Sequence, residues 1–304
     1  MEELDFTKPQ PAASPAPAPA PAAPPKAPAS QFYDPVVAGK VFRTFGRAEK
    51  FVAGATLFEE DQKVAPGGFF SRGNAGRMYF LEQGRVALVA GGHALDTVGA
   101  GEVIGEMAVI TGQPRSATAV AKAECTAYSM SAEELHGALS RMPEFAMMLM
   151  SVMFDRLRFA TARLAARRVA AAARADEPPV FPAALLERLE AALPRSAVTR
   201  YWPESVIMRE GQTGAYMYVV KQGTVAIAVR QQVVAVVHPG GSFGEMALVD
   251  QSPRSATAVA ETECQLLSID RASLIEAIKS QPAFAMAMLG AYAERLRHMN
   301  AQVG

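Results

Sequence analysis

A chain of 304 residues, half of them apolar, has material for two ordinary domains, and its 30 basic and 30 acidic side chains leave no net charge. That balance lacks the electrostatic footprint of a dedicated nucleic-acid binder. The acidic start MEELDF is followed by no apolar stretch, and no run reaches the length of a membrane span, so a cytoplasmic protein without a secretory signal or a membrane span is expected.

Residues 1–30 form a Pro/Ala-rich tail. From Pro9 to Ala29 nearly every residue is Pro or Ala, a composition that cannot build a core and tends toward extended polyproline II. Such an arm reaches on the order of 60 Å and serves as a spacer or holds out Met1–Lys8, with Leu4 and Phe6 as apolar anchors. Asp34–Lys50 reads as a helical lead-in. Alternating strands then follow at Thr56–Glu60, Arg77–Gly84, Arg85–Gly91 and His93–Gly101, broken by Gly-rich turns. After a short helical interruption, SATAVAKA and CTAYSMS resume the alternation. Short strands at this spacing predict a small barrel or jelly roll.

At Ser131 the period becomes helical. Ser131 is placed to cap, and Glu134 three residues on completes a capping box. Met142-Pro143 breaks that helix, and a second carries Phe145, Met148, Leu149 and Val152 on one face. It runs on through RLRFATARLAARR, whose arginines Arg156, Arg158, Arg163, Arg167 and Arg168 mark either an acidic partner or nucleic acid or, the reading preferred, the solvated face of a linker helix. The prolines of EPPVFP mark an interior boundary. Leu185, Leu186, Leu189 and Leu193 then open the next unit on a short amphipathic helix.

The second unit repeats the first. From Gly214 onward it follows at a constant offset of 139 residues, and upstream the offset is 150, because the first copy holds eleven extra residues around Lys63–Gly73. Phe69 and Phe70 of that insertion are a candidate contact surface, although loops tolerate such variation. The expected organisation is a tail over 1–30, one unit over 31–178 with its linker helix, and another over 179–304. The fold class is α+β: two tandem β-roll or jelly-roll barrels, each with a short helix inside it and helices after it. Cys125 and Cys264 occupy equivalent apolar positions and read as buried thiols. The four histidines show no ligand spacing, so no metal site and no catalytic set is expected.

The best-preserved part of the repeat is VIGEMAVITGQPRSATAVA (Val103–Ala121) against SFGEMALVDQSPRSATAVA (Ser242–Ala260), with twelve of nineteen positions identical. Gly105 and Gly244 permit a sharp turn. Glu106 and Glu245 open a helical turn, and Arg115 and Arg254 each precede two small residues. Free N–H groups at a helix start attract an anion, a guanidinium chelates it, and a carboxylate accepts from sugar hydroxyls, so the stretch suits a small phosphorylated ligand.

This stretch resembles the phosphate-binding cassette of the cyclic nucleotide-binding domain family, roughly F-G-E-(L/I/M)-A-L, a loop, then P-R-(A/S)-A-T. Ile104 departs from it, standing where an aromatic is usual. The resemblance implies that Glu106 and Glu245 hold a ribose 2′-hydroxyl and that Arg115 and Arg254 pair with the exocyclic phosphate oxygens. It also implies that backbone N–H groups at Met107, Ala108 and Ala117, and at Met246, Ala247 and Ala256, complete the cradle. Ser116 and Ser255 follow the arginines as in the catabolite activator branch, whereas guanine-preferring relatives often carry Thr, so cAMP is expected ahead of cGMP. Base contacts are expected from Arg156–Phe159 and Arg295–His298. Ligand is expected to draw the cassette inward, and the apolar helix after each barrel, Phe145–Val152 and Phe284–Ala291, to swing over the pocket as a lid.

Catabolite activators append a helix-turn-helix, and no residues remain after the last helix for one, so direct DNA binding is not expected. The domain pair also resembles the regulatory subunit of cAMP-dependent protein kinase, without the Arg-Arg-x-Ala/Ser inhibitor segment. The expected function is a two-site cAMP receptor, not an enzyme and needing no cofactor, that signals to an unidentified protein partner through its C-terminal helices. A constitutive scaffold with empty barrels, or a cGMP sensor, is the alternative. Oligomeric state is left open.

Overall fold

The structure is a computed structural model, and it describes residues 32–63, 76–166, 175–177 and 179–303. The Pro/Ala tail, most of the insertion after Lys63, and Arg167 and Arg168 lie outside the described residues.

Asp34 starts the first unit. Its carboxylate accepts from the Val36 and Val37 N–H groups, and Pro35 at the first helical position has no N–H to satisfy, so α1 (Pro35–Phe45) begins there. The lead-in is shorter than its sequence suggested. Gly46 ends the helix, a Cβ there would lie 2.5 Å from the Ser129 carbonyl, and the chain turns directly into β1 (Arg47–Phe51).

β2 (Thr56–Phe58), β3 (Arg77–Gln83), β4 (Arg85–Ala90), β5 (His93–Gly99) and β6 (Val103–Ile104) precede the short helix α2 (Glu106–Thr111). β7 (Thr118–Ala121) and β8 (Cys125–Ser131) follow it. The strands form two antiparallel sheets, β1-β8-β3-β6 and β2-β7-β4-β5. Between them lie Leu57, Phe58, Tyr79, Leu81, Val86, Val98 and Ile104, all buried. Each such aliphatic or aromatic side chain contributes about 1.5–3 kcal/mol on burial.

Ser131 caps α3 (Ala132–Arg141) with the expected box: its hydroxyl accepts from the Glu134 N–H, and the Glu134 carboxylate accepts from the Ser131 N–H. Pro143 then opens the long helix α4 (Pro143–Ala166).

The chain re-enters as a strand that its polar sequence did not announce. β9 (Ala175–Glu177) pairs in parallel with β14 (Gln232–Val237) of the second unit, and the Val180 and Phe181 N–H groups donate to the Gly240 carbonyl. After α5 (Ala183–Ala192) the second unit repeats the first. β10 (Val198–Tyr201), β12 (Tyr216–Gln222), β15 (Ser242–Phe243) and β17 (Cys264–Asp270) make the sheet β10-β17-β12-β15. β11 (Val206–Met208), β13 (Val225–Val229), β14 and β16 (Thr257–Ala260) make β11-β16-β13-β14, extended by β9. The short helix is α6 (Glu245–Asp250), and α7 (Arg271–Ser280) and α8 (Pro282–Val303) close the unit. Two tandem sheet-rich units, each with one short internal helix and two helices after it, are the architecture the sequence predicts.

The helices do not stay with their own barrels. α4 packs along α8, α2 lies against α8, and α6 lies against α4. One apolar core therefore joins the units: Met147, Met150, Phe154 and Leu157 of α4 share it with Phe284, Met288, Tyr292 and Leu296 of α8, and with Val109, Leu248 and Val249. The Phe154 ring meets Tyr292 edge-on at 4.9 Å. The two stretches expected to act as lids, Phe145–Val152 of α4 and Phe284–Ala291 of α8, thus lie on helices packed against each other, and α4 also meets its own cassette where Arg156 reaches Glu106. A helix that buries residues all round needs apolar partners on every side, and one barrel offers only one.

Candidate functional site

Each unit places its cassette where β6 or β15 ends. Gly105 and Gly244 adopt left-handed conformations, with φ of 75° and 79°, and so turn the chain sharply from strand into α2 and α6. A Cβ on Gly105 would lie 2.7 Å from Arg115 Nη1, and one on Gly244 would lie 2.6 Å from Arg254 Nη1. Both the turn and the close approach of the guanidinium therefore need glycine.

Arg115 is 2% exposed. Its Nη1 donates to the Gly105 carbonyl at 2.8 Å and its Nη2 to the Arg77 carbonyl at 2.6 Å, with the guanidinium 4.2 Å from the Phe58 ring centre. Arg254 repeats this, donating to Gly244 at 2.6 Å and to Tyr216 at 2.5 Å. Met208 stands where Phe58 does, and the Tyr218 ring centre is 6.0 Å from the guanidinium. The backbone of each arginine is also pinned by a reciprocal pair. Arg115 N–H donates to the Gln62 carbonyl while its own carbonyl accepts from Asp61, and Arg254 does the same with Gln212 and Gly211. Burial lowers both guanidinium pKa values, opposed by Tyr79 and Glu106 around Arg115 and by Tyr218 and Glu245 around Arg254. These carbonyl bonds anchor the guanidinium fork at the start of each cassette helix.

Glu106 and Glu245 are buried at the first position of their helices. Their surroundings differ. Glu106 accepts from Arg156 of α4, and this contact favours the charged arginine. In the second unit Met153 is replaced by Tyr292, whose buried hydroxyl sits in the field of Glu245; burial and that charge raise its pKa well above the usual phenol value. Met107 and Met246 are half-buried, Ala108, Ala117, Ala247 and Ala256 are buried, and Ser116 and Ser255 are exposed beside their arginines. The structure thus brings Gly105, Glu106 and Arg115 together, and likewise Gly244, Glu245 and Arg254.

Arg156 and Arg158, read as part of a solvated face, are 36% and 35% exposed and also carry ion pairs. Arg156 holds Glu106. Within the stretches expected to contact each unit's own base, Arg158 and Arg297 are engaged by the opposite cassette instead: Arg158 Nη2 lies 2.5 Å from Asp250 Oδ2. Its counterpart on α8, Arg297, donates to the Pro114 carbonyl of the first cassette at 3.0 Å. The partners of Arg158 and Arg297 are invisible in the sequence because they are joined only by the packing of one unit's helix on the other's cassette. Arg271, standing where the first unit has Ala132, donates to the Leu248 and Val249 carbonyls and so satisfies the end of α6. Among the described residues no cluster of three or more His, Cys, Asp or Glu could hold a metal ion, and no helix is long and apolar enough to cross a membrane.

Comparison with known proteins matches two segments of the chain to one family. Residues 48–142 and 198–281, together more than half of the chain, match the cyclic nucleotide-binding domain. A 65-residue stretch is 46% identical to a cAMP-dependent protein kinase regulatory subunit of Eremothecium gossypii, and covers 21% of this chain and 14% of that protein. A 68-residue stretch is 38% identical to a Rap guanine nucleotide exchange factor 1 of Caenorhabditis elegans, covering 22% of this chain and 7% of that one. The chain therefore matches well under a fifth of the length of these curated relatives. Among solved structures, the regulatory domain of Toxoplasma gondii PKA with cAMP is 18% identical over 84% of this chain and 89% of that one, with a TM-score of 0.30. The Thermus thermophilus catabolite activator protein is 26% identical over 41% of this chain and 62% of that one, with a TM-score of 0.37. With two copies of the cassette, each built around a buried arginine, and two matched segments, the chain belongs to the cyclic nucleotide-binding domain family.

Proposed function

We propose that the chain is a two-site cAMP receptor that passes ligand occupancy to a protein partner. Glu106 and Glu245 hold the ribose 2′-hydroxyl, and Arg115 and Arg254 pair with the exocyclic phosphate oxygens. The N–H groups of Met107, Ala108 and Ala117, and of Met246, Ala247 and Ala256, close the cradle. A cyclic monophosphate carries one negative charge, which one guanidinium and several N–H groups balance. Ser116 and Ser255 favour adenine over guanine. The relatives named as regulatory subunits of a cAMP-dependent kinase support a regulatory role.

One observation carries this reading. In both units the guanidinium is buried and anchored to the carbonyl of the glycine that starts the cassette helix. Burying a charge is costly unless something repays it, and an anionic ligand does so. Signalling then requires only that ligand bind one arrangement of α4 and α8 better than another.

A second reading, for the first unit alone, is favoured by the Arg156–Glu106 contact. There the carboxylate is already engaged, and the barrel serves as a scaffold without ligand. Calorimetric titration of the full chain with cAMP, cGMP and AMP separates these. Two cAMP per chain with weaker cGMP and no AMP binding supports the receptor, one cAMP per chain supports a silent first unit, and no heat from folded protein removes the proposal.

A further inference from the structure

Arg158 belongs to the first unit by sequence, yet its guanidinium is held by the second cassette. Its Nη2 lies 2.5 Å from Asp250 Oδ2 and donates to Ser252 Oγ at 2.8 Å, while its Nη1 donates to Asp155 at 2.9 Å. Asp250 ends α6 and is 4% exposed, and its Oδ1 accepts from the Ser252 N–H at 3.0 Å. A carboxylate shielded to this degree needs its cation, so the position of α6 and of the loop leading to Arg254 is tied to α4.

The mirror contact exists and is weaker. At the offset of 139, Arg158 corresponds to Arg297, whose Nη2 donates to the carbonyl of Pro114, the residue before Arg115. Thr111 stands where Asp250 does, so the first cassette offers this arginine a carbonyl, where the second offers Arg158 a charge. The surrounding packing has the same quasi-two-fold pattern, α2 on α8 and α6 on α4.

We propose that Arg158 and Arg297 are positioning residues that act in exchange: each sets the cassette of the opposite unit. The affinity of each site thus depends on the other unit's long helix, more strongly at the second site. The effect on affinity rests on the reading that the cassettes bind cAMP. The clamp itself does not.

The test uses the full chain, with Arg115→Ala leaving only the second site to titrate and Arg254→Ala leaving only the first. Arg158→Gln weakens cAMP binding at the second site roughly five- to thirtyfold, and leaves the first within about twofold. Arg297→Gln weakens the first site by a smaller factor and spares the second. General destabilisation does not produce this crossed pattern. Asp250→Asn, which keeps the shape and removes the charge, reproduces the Arg158→Gln loss, and the double variant adds little. Amide hydrogen exchange without ligand reads the clamp directly: residues 246–254 exchange faster in Arg158→Gln and Asp250→Asn, and residues 107–115 do not. Unchanged exchange there, or a loss confined to the first site, overturns the proposal. Faster exchange in a chain that takes no cAMP overturns the ligand reading and leaves the clamp standing.

Discussion

Arg156 of α4 donates to the carboxylate of Glu106 on α2, a side chain fifty residues earlier in the chain. The contact links the long helix to its own cassette at the point where a ribose hydroxyl is proposed to bind. Glu106 is nearly enclosed, whereas the Arg156 side chain is 36% exposed, so the pair is partly screened by water. Arg156→Ala leaves an enclosed carboxylate without its cation and lowers stability by about 1–2 kcal/mol in urea unfolding. Adding Glu106→Gln recovers part of that loss, because the stranded charge goes with it.

Gly214 offers a way to disturb one site alone. Its φ lies outside the left-handed region, but a Cβ there would come within 2.1 Å of the Arg254 guanidinium. Gly214→Ala forces Arg254 off the Gly244 and Tyr216 carbonyls. The expected outcome is a drop in affinity at the second site of roughly tenfold or more, with the first site unchanged, in a chain that still folds; one to two kcal/mol of lost contact is about that size.

α7 begins at Asp270, whose carboxylate accepts from the Ser273 N–H, and these contacts hold its pKa below the ordinary carboxylate value. A depressed native pKa means stability that is present above the unfolded pKa and is lost as pH falls through the native one. Asp270→Ala therefore costs about 1 kcal/mol at neutral pH. The gap between variant and parent narrows once pH drops below about 4, where the aspartate protonates in the unfolded chain. Thermal or urea unfolding across that range checks it.

Cys125 and Cys264 are both buried, and their Sγ atoms lie 3.4 Å from the Arg85 carbonyl and 3.3 Å from the Thr224 carbonyl. Burial raises the Cys264 pKa further, which disfavours the reactive thiolate. Folded protein is expected to resist alkylation of both at neutral pH, and denatured protein to take up two labels. Rapid labelling of the native chain contradicts this packing.

The repeat was legible because duplication leaves identical residues at one offset, and the barrel because short alternating strands have few other solutions. Ser131 and Glu134 announced the start of α3 through chemistry confined to four residues. What the sequence left hidden was long-range. Arg156 and Arg158 read as a solvated face, since nothing local shows that Glu106 and Asp250 come up against α4. The packing of α4 on α8 was equally hidden, because Met147, Met150 and Phe154 have the composition of any buried helix and do not name their partner. β9 escaped because three residues with two charges carry no strand pattern, and only pairing with β14 makes them one.

The central claim is that Arg115 and Arg254 each hold the phosphate of a cyclic nucleotide. Calorimetry with cAMP on the parent chain, the two single Arg→Ala variants and the double variant tests it most directly. Each substitution should cost roughly 2–5 kcal/mol in its own pocket, so that apparent stoichiometry falls from two sites to one and then to none. A double variant that binds cAMP as the parent does would contradict the account.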